Sequence, residues 1–185
     1  MAQEAVVLID VQKGLFEIPG SPRPAETRAA GDAVVSRIAD LLGRARARGV
    51  PVLFVQHDGG AGHLLETGAA AWQIRDELAP QSGEPVIHKT GCDSFFQTTL
   101  DAELKTRGIG RLVIAGCMTQ YCIDTSVRRA VSLGYDVTLV ADGHMTIDTG
   151  GLTFEQIIAH HNNIFSAFSA GGHKVSTELA GKVLA

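Results

Sequence analysis

The sequence predicts an α/β fold, a three-layer α/β/α sandwich on a parallel sheet, formed as one domain over residues 1–185. Three observations predict it. Short β-branched runs alternate with longer helical patterns along the whole chain, the signature of successive βα units joined by right-handed crossovers. The runs are apolar at nearly every position, as strands buried on both faces are. Glycines stand where three of the helical patterns stop, at Gly49, Gly108 and Gly134.

Taken in order, residues 4–10 (EAVVLID) read as the first strand. Residues 26–48 place Val34, Val35, Ile38, Leu41, Leu42 and Ala45 on one helical stripe that ends at Gly49. Residues 51–56 (PVLFVQ) form the second strand, residues 71–79 a short helix, and residues 85–89 (PVIHK) the third strand. A helix over 96–107 precedes a fourth strand at 111–116 (RLVIAG), and a helix over 121–133 precedes a fifth at 136–141 (DVTLVA). The last helix starts at Phe154, with Thr153 and Gln156 spaced as a reciprocal capping box. A weaker sixth strand follows at 173–177 (HKVST).

In an open parallel sheet, ligands bind beyond the carboxyl ends of the strands, where the strand order reverses. That rule singles out Asp10, then Gln56, His57 and Asp58, then His88 and Lys89. The segment from Cys117 to Cys122 follows strand four, and Asp142 and His144 follow strand five.

Composition narrows the function. The 185 residues are 45% hydrophobic and 19% charged, enough for one substantial core. A net charge of −4 gives no electrostatic footprint for nucleic acid, and the arginines of RARARG read as a solvated helix face. No apolar run approaches membrane-spanning length. The N-terminus, MAQEAVVLIDVQ, lacks the features of an export signal, so the three cysteines are expected as reduced thiols in the cytoplasm. The first βα turn, IDVQKGLF, lacks the G-x-G-x-x-G cradle of a dinucleotide site.

The cysteines are not equivalent. Cys117 ends an apolar run, where a buried thiol is the ordinary reading. Cys92 lies in the KTGCDSFF loop with no helix start behind it. Cys122 falls in the first turn of a helix, whose free N–H groups favour a thiolate and could hold an oxyanion. On spacing alone, a thiol packed beneath that helix fits Cys122 equally well. Asp10 and Lys89 end strands at the same edge. Each has a plainer role available, Asp10 as a turn cap and Lys89 as a solvated lysine. Together the three supply a base, a counter-charge and a nucleophile. Iodoacetamide is then expected to label Cys122 before Cys92.

Over nearly its whole length the chain resembles the isochorismatase-like cysteine hydrolases, which include nicotinamidases and N-carbamoylsarcosine amidohydrolases. The resemblance is carried by VVLIDVQKGLF, KTGCDSFF and GCMTQYCIDTSVRRAVSLGYDVTLVADGH, in that order. It implies a six-stranded parallel sheet ordered 3-2-1-4-5-6 and a catalytic triad of Asp10, Lys89 and Cys122. It also implies a non-proline cis peptide at Cys117–Met118, with the Met118 and Cys122 N–H groups as oxyanion hole. The implied chemistry is C–N bond hydrolysis through a thioester, with no cofactor. Nicotinamidases carry a metal site after strand two. Here that stretch reads VQHDGGAGHLLETG, and His57, Asp58 and His63 are spaced differently, so loop or substrate contacts suit them better than a metal. Two other readings stay open: a metal-assisted nicotinamidase-type amidase, and an inactive small-molecule-binding protein on the same fold.

Phe16, Trp72, Phe95 and Tyr121 are the candidate walls of a substrate pocket, with core packing a serious rival for Trp72. Gln12 is a candidate substrate contact that could instead orient Asp10 or satisfy a turn. Asp93 and Ser94 fit helix capping as well as substrate contact. His160 and His161 fit a helix surface or subunit contact. The expected partners are a small-molecule substrate and further copies of the chain, as a homodimer or higher homo-oligomer, with neither nucleic acid nor membrane.

Overall fold

β1 (Gln3–Ile9) lies at the centre of the sheet because its residues are apolar on both sides, and Ala5 through Ile9 are essentially without solvent exposure. The computed structural model describes residues 3–185. After β1 come a one-turn helix α1 (Lys13–Phe16) and the long helix α2 (Pro24–Ala47). Pro24 sits in the first turn of α2, where its missing N–H costs nothing. Then follow β2 (Val52–His57), β3 (Val86–Lys89), α3 (Leu100–Thr106) and β4 (Ile109–Cys117). The second half holds α4 (Asp124–Ser132), β5 (Asp136–Met145), α5 (Phe154–Phe165), β6 (Ser169–Ala170) and β7 (His173–Glu178).

The strands form one sheet ordered β3-β2-β1-β4-β5-β7-β6. Every pairing from β3 to β7 is parallel, and these six strands have the order expected, with β7 as the predicted sixth. The addition is β6, two residues paired antiparallel to β7 and too short to leave a sequence pattern. Successive residues of β1 face opposite sides. Val6 and Leu8 pack with the Val34, Ile38 and Leu41 stripe of α2, while Ala5, Val7 and Ile9 pack with Leu104 of α3 and Val127 and Val131 of α4.

Some elements differ from expectation. The helix expected over 71–79 is two separate 3₁₀ turns, Ala70–Trp72 and Asp76–Leu78. The helix over 96–107 shortens to α3, because Phe96 through Thr99 form turns. The helix expected from Tyr121 begins instead as a π turn, Thr119–Ile123, that runs into α4. The capping box at Thr153 and Gln156 is present in both directions.

The strand order reverses between β1 and β4, and there the two backbones nearly touch. A Cβ built on Gly116 would lie 1.9 Å from the Ile9 carbonyl oxygen, and Gly116 has φ of 129°. Only glycine fits that approach, and it sets Asp10 beside the turn that carries Cys122. Among the described residues, no helix is long and apolar enough to cross a membrane.

Candidate active site

Asp10 follows β1 directly and turns out of the sheet with φ of 51°, a left-handed conformation that asparagine and aspartate adopt more readily than other side-chain-bearing residues. Its N–H donates to the Val55 carbonyl at 2.8 Å, which ties the turn to β2. Lys89 is the last residue of β3, and its side chain is fully buried. Its ammonium donates to Asp10 Oδ2 at 2.7 Å, to the Gly91 carbonyl at 3.0 Å and to Cys122 Sγ at 3.1 Å. An ammonium has three N–H donors, so all of them are committed. The peptide bond between Cys117 and Met118 is cis.

Electrostatics set the resting protonation. Burial pushes the Asp10 carboxyl up, and the charge of Lys89 and the neighbouring Cys122 thiol only partly oppose it. Asp10 is therefore a stronger base than a solvated carboxylate. Asp10 Oδ1 is buried and accepts no hydrogen bond among the described residues. For Lys89, burial disfavours the ammonium, but Asp10 and Cys122 outweigh it and the net direction is up. The Cys122 thiol is pushed well up by burial and then by Asp10, against the pull of Lys89. A thiolate favoured by a helix N-terminus was expected. The balance runs the other way, because Cys122 sits in a π turn against a carboxylate, and the resting sulfur is a thiol. Cys117 is buried in the core beneath, its thiol raised by desolvation.

The site opens into a cavity of about 160 Å³. Asp10, Met118, Tyr121 and Cys122 line it, as do Leu15, Leu65, Cys92, His57 and His63. Of the residues expected as walls, only Tyr121 lies there, half-exposed at the rim. Phe16 points into the core beneath Arg75, and its neighbour Leu15 takes the cavity position. Phe95 stacks on Tyr135 with ring centroids 6.0 Å apart. Trp72 stacks on His88 at 6.0 Å, and its indole N–H donates to Asp58 Oδ1 at 2.8 Å. Asp58 Oδ1 also meets His88 Nδ1 at 3.0 Å, so Asp58 and His88 pair with each other outside the cavity. Among the described residues, no three His, Cys, Asp or Glu side chains converge to hold a metal ion.

Gln12 is fully buried and turns away from the cavity. Its amide donates to the carbonyls of His57 (2.9 Å) and Trp72 (2.8 Å) and accepts from the His57 N–H (2.9 Å). It thus fixes the loop after β2, which carries two of the cavity residues. The loop after β3 is held similarly. Ser126, one helical turn beyond Cys122, accepts from the Ser94 N–H (3.1 Å) and donates to the Ser94 hydroxyl (2.8 Å). Asp93 caps the Phe95 N–H at 2.8 Å.

His144 is buried behind the nucleophile turn. Asn162 on α5 donates to the Ala141 carbonyl (2.9 Å), which orients its oxygen to accept from His144 Nε2 (3.0 Å). His144 Nδ1 then accepts from the Thr119 hydroxyl (2.9 Å) at the start of the π turn. Burial holds this imidazole down at about 4, so it is neutral. His160 and His161 lie on α5, where His161 Nδ1 meets the Ile157 carbonyl at 2.8 Å.

The isochorismatase domain model matches residues 4–171. The chain belongs to the isochorismatase family. It is similar to streptothricin hydrolase of Streptomyces noursei, 32% identical over 149 residues, which cover 78% of this chain and 50% of that protein. The chain thus spans about half the length of that relative. The ureidoacrylate amidohydrolase RutB of Variovorax paradoxus is 26% identical over 194 residues, covering 89% of this chain and 76% of RutB. Among solved structures, an isochorismatase from Pseudomonas putida KT2440 superposes with a TM-score of 0.84 at 27% identity, over 97% of this chain and 89% of that one. Within the isochorismatase family, this chain's cavity has Cys122, Asp10 and two histidines on its walls.

Proposed function

We propose that this isochorismatase-family protein hydrolyses the C–N bond of a small amide-type substrate, with Cys122 as nucleophile, Asp10 as general base and acid, and Lys89 as the charge that holds both. The observation that carries this reading is the single ammonium lying 2.7 Å from Asp10 Oδ2 and 3.1 Å from Cys122 Sγ at the wall of one cavity. The names of two relatives, an amidohydrolase and a hydrolase, support the bond class.

A resting thiol needs a base at the moment of attack, and the raised Asp10 carboxylate supplies it. Asp10 takes the thiol proton as Sγ adds to the carbonyl carbon. The N–H groups of Met118 and Cys122 receive the oxygen that gains charge. Asp10 then protonates the departing nitrogen, leaving a thioester on Cys122. Water, deprotonated by Asp10, releases the acid and restores the thiol. Lys89 stays charged throughout and stabilises first the carboxylate and then the sulfur anion.

The test is ammonia or amine release from small amides, ureides and lactams by the wild type and Cys122→Ala. The variant is expected to lose turnover by about 10⁴-fold or more, as removal of a nucleophile from a triad does. Turnover surviving in Cys122→Ala refutes covalent catalysis by that sulfur.

A further inference from the structure

Two imidazoles on the cavity wall play no part in the chemistry above. His57 and His63 both line the cavity, with ring centroids 5.3 Å apart and planes tilted by 36°. Neither is there by accident of a loose loop. The His57 backbone is clamped on both its N–H and its carbonyl by Gln12. His63 sits in a tight loop closed by Gly59 N–H to the Leu65 carbonyl (2.8 Å) and Thr67 N–H to the Gly59 carbonyl (3.1 Å). A Cβ on Gly59 would lie 2.3 Å from His63 Nδ1, so the glycine makes room for that ring.

The loop also settles the His63 tautomer. The Leu65 N–H donates to His63 Nδ1 at 3.0 Å, so in the neutral ring the proton is on Nε2. That Nε2–H is a fixed donor with no protein acceptor among the described residues. The His57 ring likewise makes no hydrogen bond among them. Burial and the charge of Lys89 keep His57 below its ordinary range, hence uncharged at neutral pH.

The rest of the cavity is unsuited to an anion. Leu15, Leu65 and Met118 are apolar, Asp10 is acidic, and the Lys89 ammonium has given all its donors to Asp10, Gly91 and Cys122. A carboxylate placed there meets a lysine charge already offset by Asp10 and no free ammonium N–H, so its desolvation is poorly compensated. A volume of about 160 Å³ is about five waters' worth and lies below the range of drug-sized pockets, so the acyl group must be compact.

We propose that His57 and His63 are specificity determinants that select a compact, uncharged acyl group bearing a second polar function, such as a carboxamide or ureide, over one bearing a carboxylate. The proposal rests on the amidase reading for its turnover assay, though not for its binding assay.

Three probes of matched length test it: succinamide (neutral, polar), succinamate (anionic) and butyramide (neutral, without the second polar group). For the wild type at pH 7.5, kcat/KM for succinamide is expected to exceed each of the others by about tenfold or more, the worth of one well-made hydrogen bond. In His57→Leu and His63→Leu the succinamide-to-butyramide ratio is expected to fall towards one. The same ranking is expected for binding to Cys122→Ala, read by calorimetry. Equal handling of succinamate and succinamide overturns the proposal, as does a ratio preserved in both histidine variants or failure of all three probes to bind. If the binding ranking appears but Cys122→Ala turns substrate over as the wild type does, the specificity stands and the cysteine mechanism fails.

Discussion

Replacing Lys89 by methionine isolates the electrostatics of the site. The substitution keeps an unbranched apolar stem and removes only the charge and its donors. Asp10 is left 1% exposed, with Oδ1 already unpartnered and Oδ2 newly so. Breaking a buried ion pair in this way costs about 3–5 kcal/mol. The cost falls only on the ionised carboxylate, which can escape it by taking a proton. Its folded pKa, already raised by burial in the wild type, therefore rises further. A group whose folded pKa is raised keeps in the native state a proton that the unfolded chain releases above about pH 3.9. Stability is then lost as pH rises from there, at about 1.36 kcal/mol per pH unit. The extra penalty over the wild type is spent about two to four units above the wild type's own raised value. Because the wild type's own Asp10 is already raised, the difference between the two opens only above that value: Lys89→Met is expected to cost less than about 1.5 kcal/mol at pH 5 and up to about 3–5 kcal/mol at pH 8 in urea unfolding. Adding Asp10→Asn, which cannot ionise, is expected to remove the pH dependence and recover most of the loss at pH 8. An equal loss at both pH values refutes the reasoning. So does a double variant no more stable than Lys89→Met at pH 8.

Two further outcomes follow from the same physics. Because burial and Asp10 keep Cys122 a thiol while Cys92 is exposed, iodoacetamide at pH 7 is expected to alkylate Cys92 first, reversing the order read from the sequence; mass spectrometry of the labelled peptides decides it. His144, held neutral down to about pH 4, lets the unfolded chain gain a proton first, so the wild type is expected to lose about 3 kcal/mol as pH falls from about 6.5 to 4. In His144→Gln that slope is expected to flatten in urea titrations at pH 7, 5.5 and 4.5, and identical slopes would count against the assignment.

The parts of the site that end strands were legible in the sequence. Asp10, Lys89 and Cys122 were locatable because a run of apolar residues, its last polar residue and a glycine punctuation are local patterns, and the sheet converts them into one edge. The walls were not legible in that way. Whether Leu15 or Phe16 faces the cavity depends on how the single turn of α1 is rotated, and four residues carry too little periodicity to say. Trp72 was misplaced because residues 70–78 are held by long-range bonds, from Gln12 to the Trp72 carbonyl and from the indole to Asp58, rather than by helical propensity. His57 and His63 were visible as polar residues after β2, but their role depends on a loop closure that needs Gly59 and Leu65 to meet. The thiol state of Cys122 was not legible because it depends on burial and on the Asp10 carboxylate, which a strand more than a hundred positions away brings beside it.

Position 10 joins two demands in one residue. The backbone there tolerates very few side chains, and the chemistry needs an acid. Glutamate would keep the acid but fit the turn badly, whereas Asp10→Asn would keep the turn and silence the acid. A lineage drifting from hydrolysis towards mere ligand retention could therefore take that step with its backbone intact, provided Lys89, left buried without its counter-charge, also gave up its own. Descendants that had done so would be betrayed by those two side chains rather than by any visible change of shape.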